Sequence, residues 1–296
     1  ITNTTSLVAD LNPGLGDSYP GTNPGSYPLP EGLGFTAVGS KLYFPAMDAT
    51  YGNELRVLDT TNNTFTTIDF YSGSGSSNAG QTGFAAIGSK LFFGAADATR
   101  GFEPRVLDTT NNTFGTADIY AGVSGSDAGQ VGGFIAVGSK VFFSAKDPTH
   151  GSELRVFDTS NNSLTLVEIY GGTVGSQAGQ YGGFAVVGSK LYFTANDPAN
   201  GLELRVLNTT TNAVTMVDIN SGSGDSFPNQ SGRSFSPSRD IIAVGSKLYF
   251  SAKDATNDYE LRVLDTTNNT FTTVDINAGS AGSNAGTFGF AAVGSK

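Results

Sequence analysis

The chain has 296 residues, 38% of them hydrophobic and 11% aromatic, which is enough to bury a sizeable core. Its 16 basic and 26 acidic residues leave a net charge of −10, which opposes nucleic-acid phosphates and anionic lipid surfaces. With no cysteine there can be no disulfide, thiolate metal site or cysteine nucleophile, and no apolar run approaches the roughly 20 residues of a membrane-spanning helix.

The triplet Gly-Ser-Lys recurs at Gly39, Gly88, Gly138, Gly188, Gly245 and Gly294, close to every 50 residues. Such a period, with several short apolar runs in each copy, points to an all-β β-propeller of four-stranded blades. Taken in chain order, Ser6–Leu11 matches the fourth strand of a copy, and residues 12–33 form a Pro/Gly-rich segment with Tyr19 and Tyr27. Complete copies then follow at about 34–82, 83–132, 133–182, 183–239 and 240–288, within one domain spanning 1–296.

The third copy illustrates the four strands: Phe134–Val137, Val141–Ala145, Glu153–Phe157 and Leu164–Ile169, each rich in β-branched or aromatic residues. Gly138-Ser139 is expected as a two-residue hairpin turn, and Asn161-Asn162 as the turn between the last two strands. The fifth copy is preceded by a longer loop over 220–240 that carries Arg233 and Arg239. The C-terminal Phe290–Val293 matches a first strand. The expectation is therefore six blades, the sixth shared between residues 289–296 and 1–33, in a sequence shortened relative to the natural protein; five blades is the alternative.

The segments Gly39–Phe44 and Gly52–Thr60 resemble the bacterial ELWxxDGT repeats of large exported proteins, and Val57–Phe65 resembles the kelch-like repeats of algal and other protist proteins. The motif tryptophan is replaced by Arg56, Arg105, Arg155, Arg205 and Arg262. The resemblance implies an exported propeller, extracellular or at the cell surface, and transfers no functional residue.

An Asp-x-x-x-Gly-x-Glu pattern pairs Asp48 with Glu54 and Asp147 with Glu153, as it pairs Asp97 with Glu103 and Asp197 with Glu203. Two carboxylates plus loop carbonyls could begin a calcium site, since calcium wants six to eight oxygens. The structural alternative has the Asp capping the turn and the Glu pairing with the Arg two positions later. No cofactor is expected, with calcium the one possibility. His150 is the sole histidine, so no Ser-His-Asp set can be assembled around a second one.

Two residues after an acid that closes the fourth strand stand Tyr71, Tyr120 and Tyr170, replaced by Asn220 and Asn277 in later copies. Tyrosine offers an apolar plate with a polar tip, the chemistry of sugar recognition, so these five are the candidate ligand-binding residues. Asn-x-Ser/Thr sequons at Asn3, Asn62, Asn111, Asn161, Asn208, Asn229 and Asn268 are candidate glycosylation sites. These features lead to the expectation of a protein that is not an enzyme: a structural or adhesive module making protein–protein contacts in a surface assembly. The alternative is a lectin-like propeller that binds glycans, and a carbohydrate-active enzyme rests on fold analogy alone.

Overall fold

The computed structural model describes residues 7–14, 16–22, 34–226, 241–279, 281–283, 285–286 and 290–292. They are all-β: 20 strands in five four-stranded sheets, each an antiparallel meander in sequence order. These are β-propeller blades, five in number among the described residues. Their contacts cluster into two compact units, residues 1–126 and 127–296.

The first unit holds two blades. One consists of β1 (Thr36–Val38), β2 (Lys41–Asp48), β3 (Gly52–Asp59) and β4 (Thr64–Ile68). The other consists of β5 (Ala85–Ile87), β6 (Lys90–Asp97), β7 (Gly101–Asp108) and β8 (Thr113–Thr116). The second unit holds three: β9 (Phe134–Val137) to β12 (Ser163–Val167) through β10 (Lys140–Asp147) and β11 (Gly151–Asp158), then β13 (Phe184–Val187), β14 (Lys190–Asp197), β15 (Gly201–Asn208) and β16 (Val214–Val217). Its last blade is β17 (Ile242–Val244), β18 (Lys247–Ala252), β19 (Glu260–Asp265) and β20 (Thr270–Val274).

The sixth blade is corrected. Residues 7–14, 16–22 and 290–292 form no strand, and the rest of that expected split blade lies outside the described residues, as do Tyr27, Arg233 and Arg239. Residues 18 to 21 instead bond to the first blade: the Gly21 amide donates to the Pro45 carbonyl and the Met47 amide donates to the Ser18 carbonyl, both at 2.8 Å.

The middle strands of each blade are its core. In β6 the five residues Leu91–Ala95 are all buried, the near-continuous burial of a strand covered on both faces. In the first unit Tyr43, Leu55, Phe70, Leu91, Phe93 and Leu107 from both blades form one apolar cluster. In the second unit, Phe142, Leu154, Leu191 and Phe193 form another, and Tyr192, Leu204, Leu248 and Phe250 a third. Each such side chain removed from water contributes about 1.5–3 kcal/mol.

The Gly-Ser-Lys triplet has two roles. Gly138 takes a φ of 61° with open space where a Cβ would stand, so the turn needs its backbone freedom and not its small size. Val137 then pairs directly with Lys140, a two-residue hairpin of the II′ kind. The lysine reaches the following blade. Lys41 Nζ donates to the Thr109 carbonyl at 3.3 Å, Lys190 to the Thr266 carbonyl at 3.4 Å, and Lys140 to the Thr209 carbonyl at 2.7 Å and Asn212 Oδ1 at 3.0 Å.

The turn between β11 and β12 is longer than Asn161-Asn162. Asp158 pairs with Ser163, leaving a four-residue connection that ends on Asn162 at φ 56°. The Asp158 carboxylate accepts from the Ser160 amide, and Asn161 Oδ1 accepts from the Ser163 amide, so two successive Asx turns build it.

Candidate functional site

The recurring charged residues hold the fold together. Asp97 Oδ1 accepts from the Thr99 amide at 2.8 Å and the Arg100 amide at 2.8 Å, shaping the turn between β6 and β7. Its other oxygen accepts from Arg105 Nη2 at 2.8 Å. The same relation joins Arg56 to Asp48, Arg155 to Asp147, Arg205 to Asp197 and Arg262 to Asp254. Burial pushes the Asp97 carboxyl up, but bonds from Thr99, Arg105 and the Arg100 amide outweigh it and hold it well below the usual carboxylate range.

The expected Glu–Arg pair is corrected by these contacts. Glu54 is buried and accepts from the Phe70 amide at 3.0 Å, the Ser77 amide at 2.7 Å and Ser77 Oγ at 2.6 Å. Glu153 does the same for Ile169, Tyr170 and Ser176. Each Glu thus anchors the Gly/Ser-rich loop that leaves its blade, using amides that would otherwise be buried without partners. Burial raises Glu54 and Glu203 to about 7. Asp48 and Glu54, like Asp147 and Glu153, are therefore spent on different partners, and among the described residues no cluster of three or more His, Asp or Glu could hold a metal ion.

The Tyr/Asn position also works for the loop. Asn220 Nδ2 donates to the Asp225 carbonyl at 3.1 Å, and Asn277 Nδ2 donates to the Gly282 carbonyl at 3.4 Å. Tyr71 instead lays its ring over Gly75, where no Cβ would fit. The amides of Tyr120 and Tyr170 donate to Glu103 and Glu153, and all three tyrosines are half-buried.

The sequon asparagines Asn62, Asn111, Asn161 and Asn268 are exposed on the hairpins between third and fourth strands. Asn62 Oδ1 accepts from the Thr64 amide and hydroxyl, whereas Asn208 stands at a strand end and accepts from the Thr210 and Thr211 amides. Asn3 and Asn229 lie outside the described residues.

Once the recurring residues are accounted for, the copies themselves reveal what is singular. One place gathers it: a cleft of about 330 Å³ in the first unit, lined by Phe70, Tyr71, Ser72, the turn Asp97–Arg100, Arg105 and Phe114. Phe70 stands where the other four copies have Ile119, Ile169, Ile219 and Ile276, and Arg100 where they have Tyr51, His150, Asn200 and Asn257. Phe70 meets Phe114 edge to face, with centroids 4.8 Å apart, and Arg105 lies 5.9 Å over the Phe70 ring. Phe114 is 50% exposed although aromatic. Of the residues expected to bind ligand, the cleft takes Tyr71; Phe70, Arg100 and Phe114 were not anticipated, though the copy-to-copy departures of Phe70 and Arg100 were legible as a signal.

No family model and no curated protein matches the chain. Solved structures do resemble it. TolB from Acinetobacter baumannii is 13% identical with a TM-score of 0.41, over 81% of this chain and 53% of that one. A europium-containing methanol dehydrogenase is 11% identical with a TM-score of 0.47, over 80% and 49%. A puromycin hydrolase is 12% identical with a TM-score of 0.47, over 81% and 36%. The chain thus spans about half the length, or less, of these proteins. The expectation that the chain is not an enzyme is corrected here, because enzymes are among the structures it resembles. At such identities the likeness shows the fold alone and assigns the chain no reaction.

Proposed function

We propose that the chain is an exported binding module of the ELWxxDGT or kelch-like repeat kind, and that it recognises saccharide through the cleft at Tyr71. The observation that supports this reading is the convergence of Phe70, Tyr71, Arg100 and Phe114 on one cleft, where Phe70 replaces the isoleucine of the other four copies and Arg100 is the one cation at its turn position. The aromatic faces offer a plate for the apolar side of a sugar ring, and the Arg100 and Ser72 side chains offer donors for its hydroxyls. A glycan array probed with the wild type and with Tyr71→Asn, the residue that later copies carry at this position, tests it. Binding by the wild type, lost in the variant at unchanged melting temperature, supports the reading; silence of the wild-type protein across the array overturns it.

A second reading, adhesive contact within a surface assembly, is favoured by Val123 and Val174, which stand 73% and 60% exposed on the Gly-rich loops. Sedimentation that stays monomeric up to high concentration would remove it where the copies are of this chain alone.

A further inference from the structure

Charge in the cleft runs against charge in the chain. The protein carries −10 overall, yet the charged groups lining the cleft are two cations, Arg100 and Arg105, and one anion, Asp97. Asp97 is already matched by the buried Arg105 at 2.8 Å and by the turn amides. Arg100 is therefore the exposed cation of the lining. Its side chain is 47% exposed, its Nη1 lies 3.2 Å from Asp97 Oδ2, and its Nε lies 4.0 Å from the exposed Asp118, which is outside the lining. Among the described residues its Nη2 has no partner. An Nη2 group left open beside two aromatic rings is a charged donor suited to a carboxylate oxygen.

The cleft volume sits at the low end of the range for ligand pockets, room for a single ring and not an extended polymer. Resting on the saccharide reading, we infer that the cleft takes a sugar bearing a carboxylate, a hexuronic acid residue, with its ring against Tyr71 and Phe114 and its carboxylate on the open edge of Arg100. Phe70 has a supporting part: it is 8% exposed, packs against Phe114 and lies under Arg105, which neutralises Asp97, the acid within the cleft lining.

The test compares sugars that differ only at C6. Binding of methyl β-D-glucuronide and methyl β-D-glucoside, and of the corresponding galacturonide and galactoside, is followed by NMR titration of the intact chain. We expect at least one uronide to bind about tenfold tighter than its neutral partner at low salt, with the preference shrinking as salt is added. Arg100→Gln, at an exposed position that leaves Asp97 with Arg105, should reduce the preference to within about twofold, and Arg100→Lys should restore part of it. Neutral sugars that bind as well as the uronides, or a preference untouched by Arg100→Gln, would overturn the carboxylate inference and leave the saccharide reading standing. No binding of either kind to the wild type would overturn both.

Discussion

Arg105 Nη2 meets Asp97 Oδ2 at 2.8 Å across eight residues of chain, with the arginine side chain 1% exposed and the aspartate 15%. Removing the acid strands a buried cation, while removing the arginine leaves Asp97 with Thr99, the turn amides and Arg100. Asp97→Ala should therefore cost about 3 kcal/mol and Arg105→Met clearly less, because an uncompensated buried charge is the expensive outcome. Urea unfolding of the two variants measures the order.

Stability should depend on pH in two opposite ways. Glu54 and Glu203 have folded values raised to about 7, so their contribution is fully present below about 4.5 and lost as pH rises toward 7. Asp48, Asp97, Asp147 and Asp254 are lowered, so their contribution is present above the ordinary aspartate range and lost as the medium becomes more acid. The melting temperature is thus expected to climb from pH 8 to about pH 5 and to fall below pH 4. Glu54→Gln should flatten the upper limb, which separates the buried carboxyl from relief of the overall negative charge.

Lys140 ties β10 to the hairpin beyond β15 with bonds to Thr209, Thr210 and Asn212. Its replacement by Met keeps the apolar stem and removes every donor. A loss of about 1–2 kcal/mol is expected, since hydrogen bonds from a charged donor are worth more than neutral ones. Thermal unfolding followed by tyrosine fluorescence would read it.

Gly138→Ala meets no atom but demands a left-handed conformation of a residue with a Cβ, for a cost of about 1 kcal/mol. Gly125→Ala would instead drive its Cβ into the Phe102 backbone and should cost considerably more. Side-by-side denaturation curves distinguish steric crowding from backbone strain.

Local patterns were legible and non-local ones were not. The first strand of the third copy lies where its apolar residues put it, Phe134–Val137, and Gly138 turns where a positive φ was expected. The arginine's partner was misjudged because strand alternation places Glu153 beside Arg155, while the loop amides that claim Glu153 arrive 16 to 23 residues later. Gly151 shows the same limit: it pairs with Asp147 at φ 60°, and a Cβ there would strike the Thr173–Gly175 loop, which arrives more than 20 residues later. Phe70 and Arg100 stand 30 residues apart, and only the packing of two blades makes them neighbours.

Asn220 clips its loop shut with an amide hydrogen bond, and Tyr71 closes the equivalent loop by covering a glycine. Two unlike side chains solve one folding problem, so this position is free to change without disturbing the strands that carry it. The repeat thereby separates inheritance of shape from invention of surface: a duplicated copy can keep Asp, Glu, Arg and Lys as its frame and alter its face one residue at a time. Tyr71 could be transplanted to position 220, and the receiving blade should fold as before while presenting an aromatic plate where it now carries an amide.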